Sequence, residues 1–325
     1  SVPEWAANER KWRKELNHDP VVFGSNLVRQ LALMGTTHIR SHIDVDDDIG
    51  LSYVEKILQV RDKYKDYMDI QLVAFPQSGI IKAKPGMEQM MLEAINMGVD
   101  MVGGLDPQSF DEDLDGHLDA IFRIAEKTGC GIDIHIHEPD QMGLKTFKGI
   151  VERARALDMK DKINISHAYA LGMIPESDLN PILEDFVELG ISVASSTSGD
   201  GGYPPVLALH DAGVLYAGMS DNIQDFWCPW FRGDQLERAW LLAYTNYFLA
   251  DRVLDICYQM VTENAAKMMG FENHGLSYLK EGMTANLTAV QAEDLGWAIL
   301  HQPDRLFTLR NGKFLARDGE IYKPE

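Results

Sequence analysis

The sequence is poor in cysteine and has no paired-cysteine motif. Its three cysteines, Cys130, Cys228 and Cys257, are widely separated along the chain. Such spacing encodes neither a disulfide framework nor a thiolate zinc site. We therefore expect a reducing, cytoplasmic location.

Long apolar runs and an excess of positive charge are also missing. No apolar run approaches the ~20 residues that cross a bilayer, and the first residues lack the basic-then-apolar order of a signal peptide. Thirty basic against fifty acidic residues give a formal charge of −20, which repels phosphate backbones and anionic lipid. These features disfavour nucleic-acid and membrane roles, and we expect a small molecule as the partner. The sequence allows a homo-oligomer but does not require one.

What the sequence does contain is a regular alternation of short β-type runs with segments of helical periodicity. The predicted strands cover residues 37–45, 70–77, 99–107, 131–138, 163–171, 191–198 and 214–222. Several helical segments end at a glycine, where a left-handed residue is expected. These glycines are Gly35, Gly98, Gly129, Gly190 and Gly213.

Alternating strands and helices at this period predict an α/β fold, a (β/α)₈ TIM-like barrel, over residues 1–270. Seven strands are found, and the region after residue 222 is helical in character, so we expect the remaining strand to lie upstream of Ser1. For residues 271–325 we predict the C-terminal part of a small β-sandwich domain and closing segments. Asn311-Gly312 in this range is a predicted hairpin turn.

Titratable residues follow the predicted strands. In GIDIHIHEPD (131–140), His135 and His137 are two residues apart and so face the same way on a strand. Imidazoles that converge with a carboxylate are what a divalent metal with a catalytic water requires. His167 and Asp221 end two later strands and extend this pattern. The alternatives are a hydrogen-bonded histidine pair, a core histidine at 167, and a helix N-cap at Asp221.

Other polar and aromatic residues lie near the same strand ends. Gln77 is either a loop residue or an amide that pairs with a substrate's amide edge. Trp227 is either a core or lid aromatic or a stacking face for a planar ring. His42 and Asp44 alternate on the first predicted strand, and we interpret both as structural, with Asp44 as a cap of the next helix.

The motifs HIRSHIDV, IQLVAFPQSGI, DMVGG, DIHIHE, SHA and SDNIQDFW occur in this order along the chain. Together they resemble the cytosine deaminase branch of the amidohydrolase superfamily, including its triazine-degrading members. The resemblance implies a metal-dependent amidohydrolase or deaminase that hydrolyses a carbon–nitrogen bond on a pyrimidine or triazine ring. It also implies one divalent metal ion, zinc or iron(II).

The resemblance also implies roles for individual residues. His135 and Asp221 match metal ligands, and His167 matches a further ligand or a group that polarises the attacked atom. Glu138 matches a proton-shuttling glutamate, and His137 matches a histidine of the triazine-degrading members. The positions that match substrate-binding residues are Gln77, Asn222 and Trp227.

One departure from the family pattern leaves alternatives open. The family's first strand carries an H-x-H pair, which nothing before residue 37 contains, and SVPEWAANERKW matches the loop after that strand. We therefore expect that an N-terminal part of the natural protein precedes this sequence. The competing interpretations are a catalytically inactive barrel that acts as a binding or assembly subunit, and a hydrolase of a non-cyclic amide.

Overall fold

The computed structural model describes residues 2–83, 85–197, 202–271 and 279–322. The chain forms two compact units, each assembled from separate segments. The first contains Ser1–His18, Ser41–Leu58 and Leu72–Tyr216, and the second contains Asp19–Arg40, Gln59–Gln71 and Ala217–Glu325. The predicted domain boundary after residue 270 stays a prediction.

Seven strands form one sheet in which neighbours in space are neighbours in sequence. They are β1 (His38–Asp44), β2 (Asp69–Phe75), β3 (Met101–Leu105), β4 (Gly131–Ile136), β5 (Ile163–His167), β6 (Ser192–Ser195) and β7 (Tyr216–Gly218). The pairings from β2 through β6 are parallel. All seven predicted strands are confirmed; the last residue of the predicted sixth strand, Ser198, lies outside the described residues.

Helices connect the strands, as the periodicity predicts. They are α1 (Val2–Glu15), α2 (Pro20–Leu33), α3 (Ser52–Tyr64), α4 (Met87–Asn96), α5 (Leu114–Thr128), α6 (Asp140–Ala156), α7 (Glu176–Leu189), α8 (Val206–Ala212), α9 (Gln235–Thr245), α10 (Asp251–Met260), α11 (Glu263–Met268) and α12 (Leu295–His301). Helix α5 shows the local logic, because Leu118, Ile121 and Phe122 repeat at helical spacing and are buried. Asp113 caps its start by accepting a hydrogen bond from the Gly116 amide at 2.9 Å.

The five glycines predicted to end helices all have a positive φ, between 62° at Gly190 and 108° at Gly98. Glycine adopts this left-handed conformation without the steric cost that a Cβ imposes. Each helix therefore stops just before the following strand or connection begins.

The N-terminal residues differ in one respect from the expectation, while the expected segment before Ser1 stays a prediction. The segment matched to a loop is a helix, α1, with a second helix, α2, after it. Helix α1 buries an arginine, Arg13, which contacts Asp44 at 3.0 Å and also Asp46. Buried contacts of Arg13 with these two carboxyl groups, more than an apolar stripe, therefore hold this helix in place.

A second sheet is antiparallel and has the order β11-β10-β9-β8. Its strands are β8 (Leu287–Val290), β9 (Arg305–Arg310), β10 (Lys313–Arg317) and β11 (Glu320–Ile321). Asn311 and Gly312 join β9 to β10 with φ values of 53° and 76°. Two positive φ angles are typical of a type I′ hairpin turn, so the predicted hairpin is confirmed.

Candidate metal centre and active site

Three predicted site residues come together at the carboxyl ends of β4 and β5. His135 lies on β4, His137 follows that strand, and His167 is the last residue of β5. The ring centroid of His167 is 4.8 Å from that of His135 and 4.1 Å from that of His137. One potential ligand atom from each of the three lies within 4.8 Å of the others. The predicted convergence of these imidazoles is thus present in the structure.

The donor set fits a divalent metal ion. His167 is 3% exposed, and its buried Nδ1 has no hydrogen-bond partner within the described part of the chain. A buried polar atom without a partner is costly, and a bound cation would satisfy it. Burial, reinforced by His137 and His135, lowers the pKa of His167 well below its usual range. Burial and the neighbouring His42 do the same to the pKa of His135. Neutral imidazole is the form that binds metals.

A second group of potential ligands shares His135. The Nε2 atom of His42, on β1, lies 3.2 Å from Nε2 of His135 and 3.4 Å from Oδ1 of Asp133. The sequence pattern had indicated a structural role for His42 and no site role for Asp133. The available signal was the two-residue spacing of Asp133 and His135, which places both side chains on one face of β4.

Asp133 begins a buried chain of hydrogen bonds that crosses β4, β5 and β6. Ser166 donates from Oγ to Asp133 Oδ1 at 2.8 Å. Asn164 donates to Ser166 Oγ at 3.1 Å, and Ser192 donates to the Asn164 amide oxygen at 3.1 Å. Aliphatic layers usually fill the interior of such sheets, whereas here a polar chain fixes the carboxylate beside His42.

Asp106 orients His137. Its Oδ1 accepts from the backbone N–H of His137 at 2.6 Å, and its Oδ2 lies 2.8 Å from ring atom Nδ1. A carboxylate accepts hydrogen bonds, so Nδ1 of His137 carries the hydrogen and Nε2 is the basic nitrogen. Asp106 is 1% exposed, and the sequence analysis assigned it no role.

Four non-glycine residues at these strand ends have a left-handed backbone conformation. Asp106, His167, Ala168 and Thr197 have φ values of 38°, 69°, 51° and 50°. Non-glycine residues in this region each cost roughly 1–3 kcal/mol and occur mainly at functional sites. The surrounding structure therefore holds these side chains in positions that relaxed strands would not provide.

Glu138 is buried but is engaged elsewhere than in the histidine cluster. Its Oε1 accepts from the backbone amides of Gln108 at 2.6 Å and Ser109 at 3.0 Å. Its Oε2 accepts from the hydroxyl of Thr146 on α6. The carboxylate thus ties the loop after β3 to α6. Its role as a proton shuttle stays a prediction.

Gln77 lies just after β2 and is 5% exposed. Its Nε2 donates to Oε2 of Glu9 on α1 at 3.1 Å. Two residues earlier, the ring of Phe75 lies 4.7 Å from that of His135 and 5.5 Å from that of His42. Phe75 thus packs against two of the histidines, and Gln77 follows Phe75 in sequence. The role of Gln77 in substrate binding stays a prediction.

The remaining predicted substrate residues lie in the second unit, in the loop after β7. The carboxylate of Asp225 organises this loop. It accepts from the side-chain amide of Asn222 at 2.6 Å and from the backbone amides of Trp227 at 2.9 Å and Cys228 at 3.0 Å. The roles of Asn222 and Trp227 stay predictions.

Asp221 has a φ of 56° and precedes this loop. The alternative that Asp221 caps the next helix is wrong, because the N-cap of α9 is Asp234, which accepts from the Leu236 amide at 2.8 Å. Asp221 instead interacts electrostatically with Arg238. Burial lowers the pKa of the Arg238 guanidinium, and the negative charge of Asp221 counteracts this shift. Its role as a metal ligand stays a prediction.

The comparison with known families decides the class of the protein. A family model described as "Amidohydrolase family" matches residues 44–307. The chain belongs to the amidohydrolase family. It is 30% identical over 290 residues to N-isopropylammelide isopropyl amidohydrolase of Pseudomonas sp. (strain ADP), an alignment that covers 89% of this chain and 71% of that protein.

Solved structures of two amidohydrolase relatives agree with the fold. N-isopropylammelide isopropylaminohydrolase from Burkholderia multivorans ATCC 17616 superimposes with a TM-score of 0.94 at 37% identity, over 99% of this chain and 82% of that one. The 5-methylcytosine deaminase from Klebsiella pneumoniae, liganded with phosphonocytosine, gives a TM-score of 0.86 at 26% identity, over 99% and 81%.

These similarities confirm the predicted family branch and the predicted enzyme class, a hydrolase of carbon–nitrogen bonds. Amidohydrolases of this superfamily are metal-dependent, in agreement with the histidine cluster. Across the described residues, every helix is too short or too polar to cross a bilayer.

Proposed function

We propose that this amidohydrolase removes an amino or alkylamino group from a pyrimidine or triazine ring by hydrolysis. The observation that carries the proposal is the cluster of His135, His137 and His167, whose ligand atoms lie within 4.8 Å of one another. Two similar proteins, named for isopropylammelide and 5-methylcytosine, support the substrate class. The products would be a ring carbonyl and ammonia or an amine.

The proposed site holds one divalent cation, zinc or iron(II), in a sheet that closes as an eight-stranded barrel. His135, His167 and Asp221 would hold the ion, which suits imidazole and carboxylate ligands. A cation bound in this way lowers the pKa of water toward ~7 and supplies a nucleophile at neutral pH.

Proton transfer is proposed for the side chains around this centre. Asp221 takes the proton of the attacking water, and His137 or Glu138 carries a proton to the departing nitrogen. The contact with Asp106 keeps the hydrogen of His137 on Nδ1, so Nε2 is the atom that accepts and releases the proton. A relay by Glu138 requires its carboxylate to exchange the Gln108 and Thr146 contacts for the substrate. The alternative role for His167 is to polarise the attacked group instead of holding the ion.

Substrate recognition is proposed for three further residues. Gln77 would pair with an amide-like edge of the ring, because its side chain offers both a donor and an acceptor. Trp227 would stack against the ring face, and Asn222 would bind a polar substituent. These groups would recognise a flat heterocycle, and the net charge of −20 favours a neutral or cationic one.

Metal analysis and product release test the proposal together. The protein should retain about one equivalent of a divalent metal and release ammonia or an amine from members of a pyrimidine and triazine panel. His135→Ala and Asp221→Ala should lose both the metal and turnover. The control is His210→Ala, which changes an exposed histidine of α8.

Two results would overturn the proposal. Full turnover by His135→Ala would exclude the histidine cluster as the reaction centre. Turnover of open-chain amides alone would replace the heterocycle with a non-cyclic substrate.

A further inference from the structure

We propose that Glu9 is a positioning residue that fixes the orientation of the Gln77 side-chain amide, so that the substrate meets the carbonyl oxygen Oε1 as an acceptor. The inference rests on the proposed function, because it concerns how Gln77 reads the ring. It predicts that the preferred heterocycle presents a ring N–H at this edge.

Glu9 is held in place by its helix. Helix α1 carries Glu9, Arg10 and Arg13 on adjacent turns. Arg13 is 6% exposed and contacts Asp44 and Asp46, and Arg10 donates to the Ser78 hydroxyl at 2.7 Å. Residues four apart lie on the same face of a helix, so the anchor at Arg13 also sets the position of Glu9.

The contact between Glu9 and Gln77 fixes the orientation of the Gln77 amide. Gln77 donates from Nε2 to Oε2 of Glu9 at 3.1 Å. An ionised carboxylate only accepts hydrogen bonds, whereas an amide has one donating and one accepting end. If the amide rotated by half a turn, two oxygens would face each other in a site where Gln77 is 5% exposed. The carboxylate therefore selects one of the two amide orientations.

Two polar groups of the Gln77 side chain remain for the substrate. With one N–H of Nε2 given to Glu9, Gln77 has Oε1 and its second N–H available. Oε1 pairs with a ring N–H and opposes a bare ring nitrogen, since two acceptors repel. Sites that match a substrate's hydrogen bonds discriminate strongly, because a mismatch leaves a buried group without its partner.

The matched experiment uses Glu9→Gln, with Glu15→Gln as its control. A glutamine at position 9 can accept from or donate to Gln77, so both amide orientations become allowed. Glu15 lies on the same helix, is half-exposed and has a long contact of 3.9 Å to Lys11. Each variant is assayed on a ring substrate of the wild type and on a counterpart with a bare nitrogen in place of the N–H, with bound metal measured in parallel.

The expected result is a change of preference with little change in kcat. Glu9→Gln should raise KM for the N–H substrate by about twofold, because the competent amide orientation falls to about half of the population, and should lower KM for the bare-nitrogen counterpart by a larger factor, because the orientation that this substrate needs becomes populated. A gain on the second substrate cannot come from damage to the fold. Metal content and kcat should stay within a factor of about two to three, and Glu15→Gln should match the wild type.

Different failures separate the inference from the proposed function. If the wild type turns over no heterocycle, the proposed function is wrong and the inference falls with it. If the wild type is active but Glu9→Gln keeps both KM values, or raises them in equal proportion, only the assignment of Glu9 is wrong.

Discussion

Asp106 holds His137 at two points, the backbone N–H and ring atom Nδ1, with distances of 2.6 and 2.8 Å. The carboxylate thereby determines both where the imidazole lies and which of its nitrogens is basic. Asp106 itself has a φ of 38°, so strained backbone places the carboxylate. This pair resembles the carboxylate–histidine contacts that orient ligands in metal sites.

Replacing Asp106 with asparagine should impair the site without unfolding it. In Asp106→Asn the new side chain would keep an oxygen for the backbone N–H of His137, but its NH₂ group would face Nδ1 and favour the opposite tautomer. We expect activity or metal affinity to fall by about 10- to 100-fold, measured by kcat and by metal titration. Asp113→Asn is the control, because asparagine and aspartate cap helices about equally well. Equal behaviour of the two variants would show that Asp106 does not orient His137.

Removing the Glu138 carboxylate should destabilise the fold. Its hydrogen bonds satisfy the amides of Gln108 and Ser109 and the hydroxyl of Thr146. Glu138→Ala leaves buried donors without partners, and we expect a loss of about 2–4 kcal/mol in the free energy of unfolding, measured with urea. Glu126→Ala changes an exposed glutamate of α5 and should stay within about 0.5 kcal/mol. An unaltered midpoint for Glu138→Ala would show that the carboxylate does not brace this loop.

Asp44 should make stability depend on pH. Burial, together with the negative charge of Glu9, raises the pKa of this carboxyl to about 8. Since the unfolded carboxyl ionises near pH ~4, the folded state holds a proton that the unfolded state releases. The associated stability is present at low pH and is lost as pH rises toward about 8.

The variant Asp44→Asn cannot ionise and should lack this loss. Its stability relative to the wild type should increase between about pH 5 and pH 9 by on the order of 1–3 kcal/mol, followed by urea unfolding at each pH. Asp48→Asn serves as the control, because the contact with Lys14 lowers the pKa of Asp48. A constant difference between Asp44→Asn and the wild type over this range would contradict a raised pKa.

The β9–β10 turn offers a test of backbone conformation. Gly312 has a φ of 76°, and a Cβ placed there would meet nothing within 4 Å. Gly312→Ala should therefore lower the free energy of unfolding by about 1–2 kcal/mol through conformation alone. Gly296, in α12, lacks a positive φ and has room for a Cβ at 3.4 Å or more, so Gly296→Ala should be neutral or stabilising. A harmless Gly312→Ala would argue against the type I′ turn.

The strands and the β4 histidines were predictable because their signals are local. Alternation along GIDIHIHE fixes the face of His135 from neighbouring residues alone. The position of His42 beside His135 joins residues 93 apart in sequence, and no local pattern reports such a distance. The sequence therefore predicted part of the cluster and missed His42 and Asp133.

Two other features escaped prediction for identifiable physical reasons. Helix α1 is anchored by a buried arginine, Arg13. Its sequence therefore lacks the apolar periodicity from which a buried helix is predicted. Glu138 comes after the last residue of β4, Ile136, where strand alternation no longer determines direction. Its carboxylate turns toward Gln108 and Thr146 instead of the histidines.

The buried chain from Asp133 through Ser166 and Asn164 to Ser192 has an evolutionary consequence. Each side chain donates a hydrogen bond to its neighbour or accepts one from it. Replacing a single inner member with an aliphatic residue therefore leaves two buried polar groups without their hydrogen-bond partners. Divergence at these positions should be correlated: relatives would keep the set or exchange several members together. Selection on the histidine cluster would then extend to Asn164 and Ser192, which are connected to Asp133 through these hydrogen bonds.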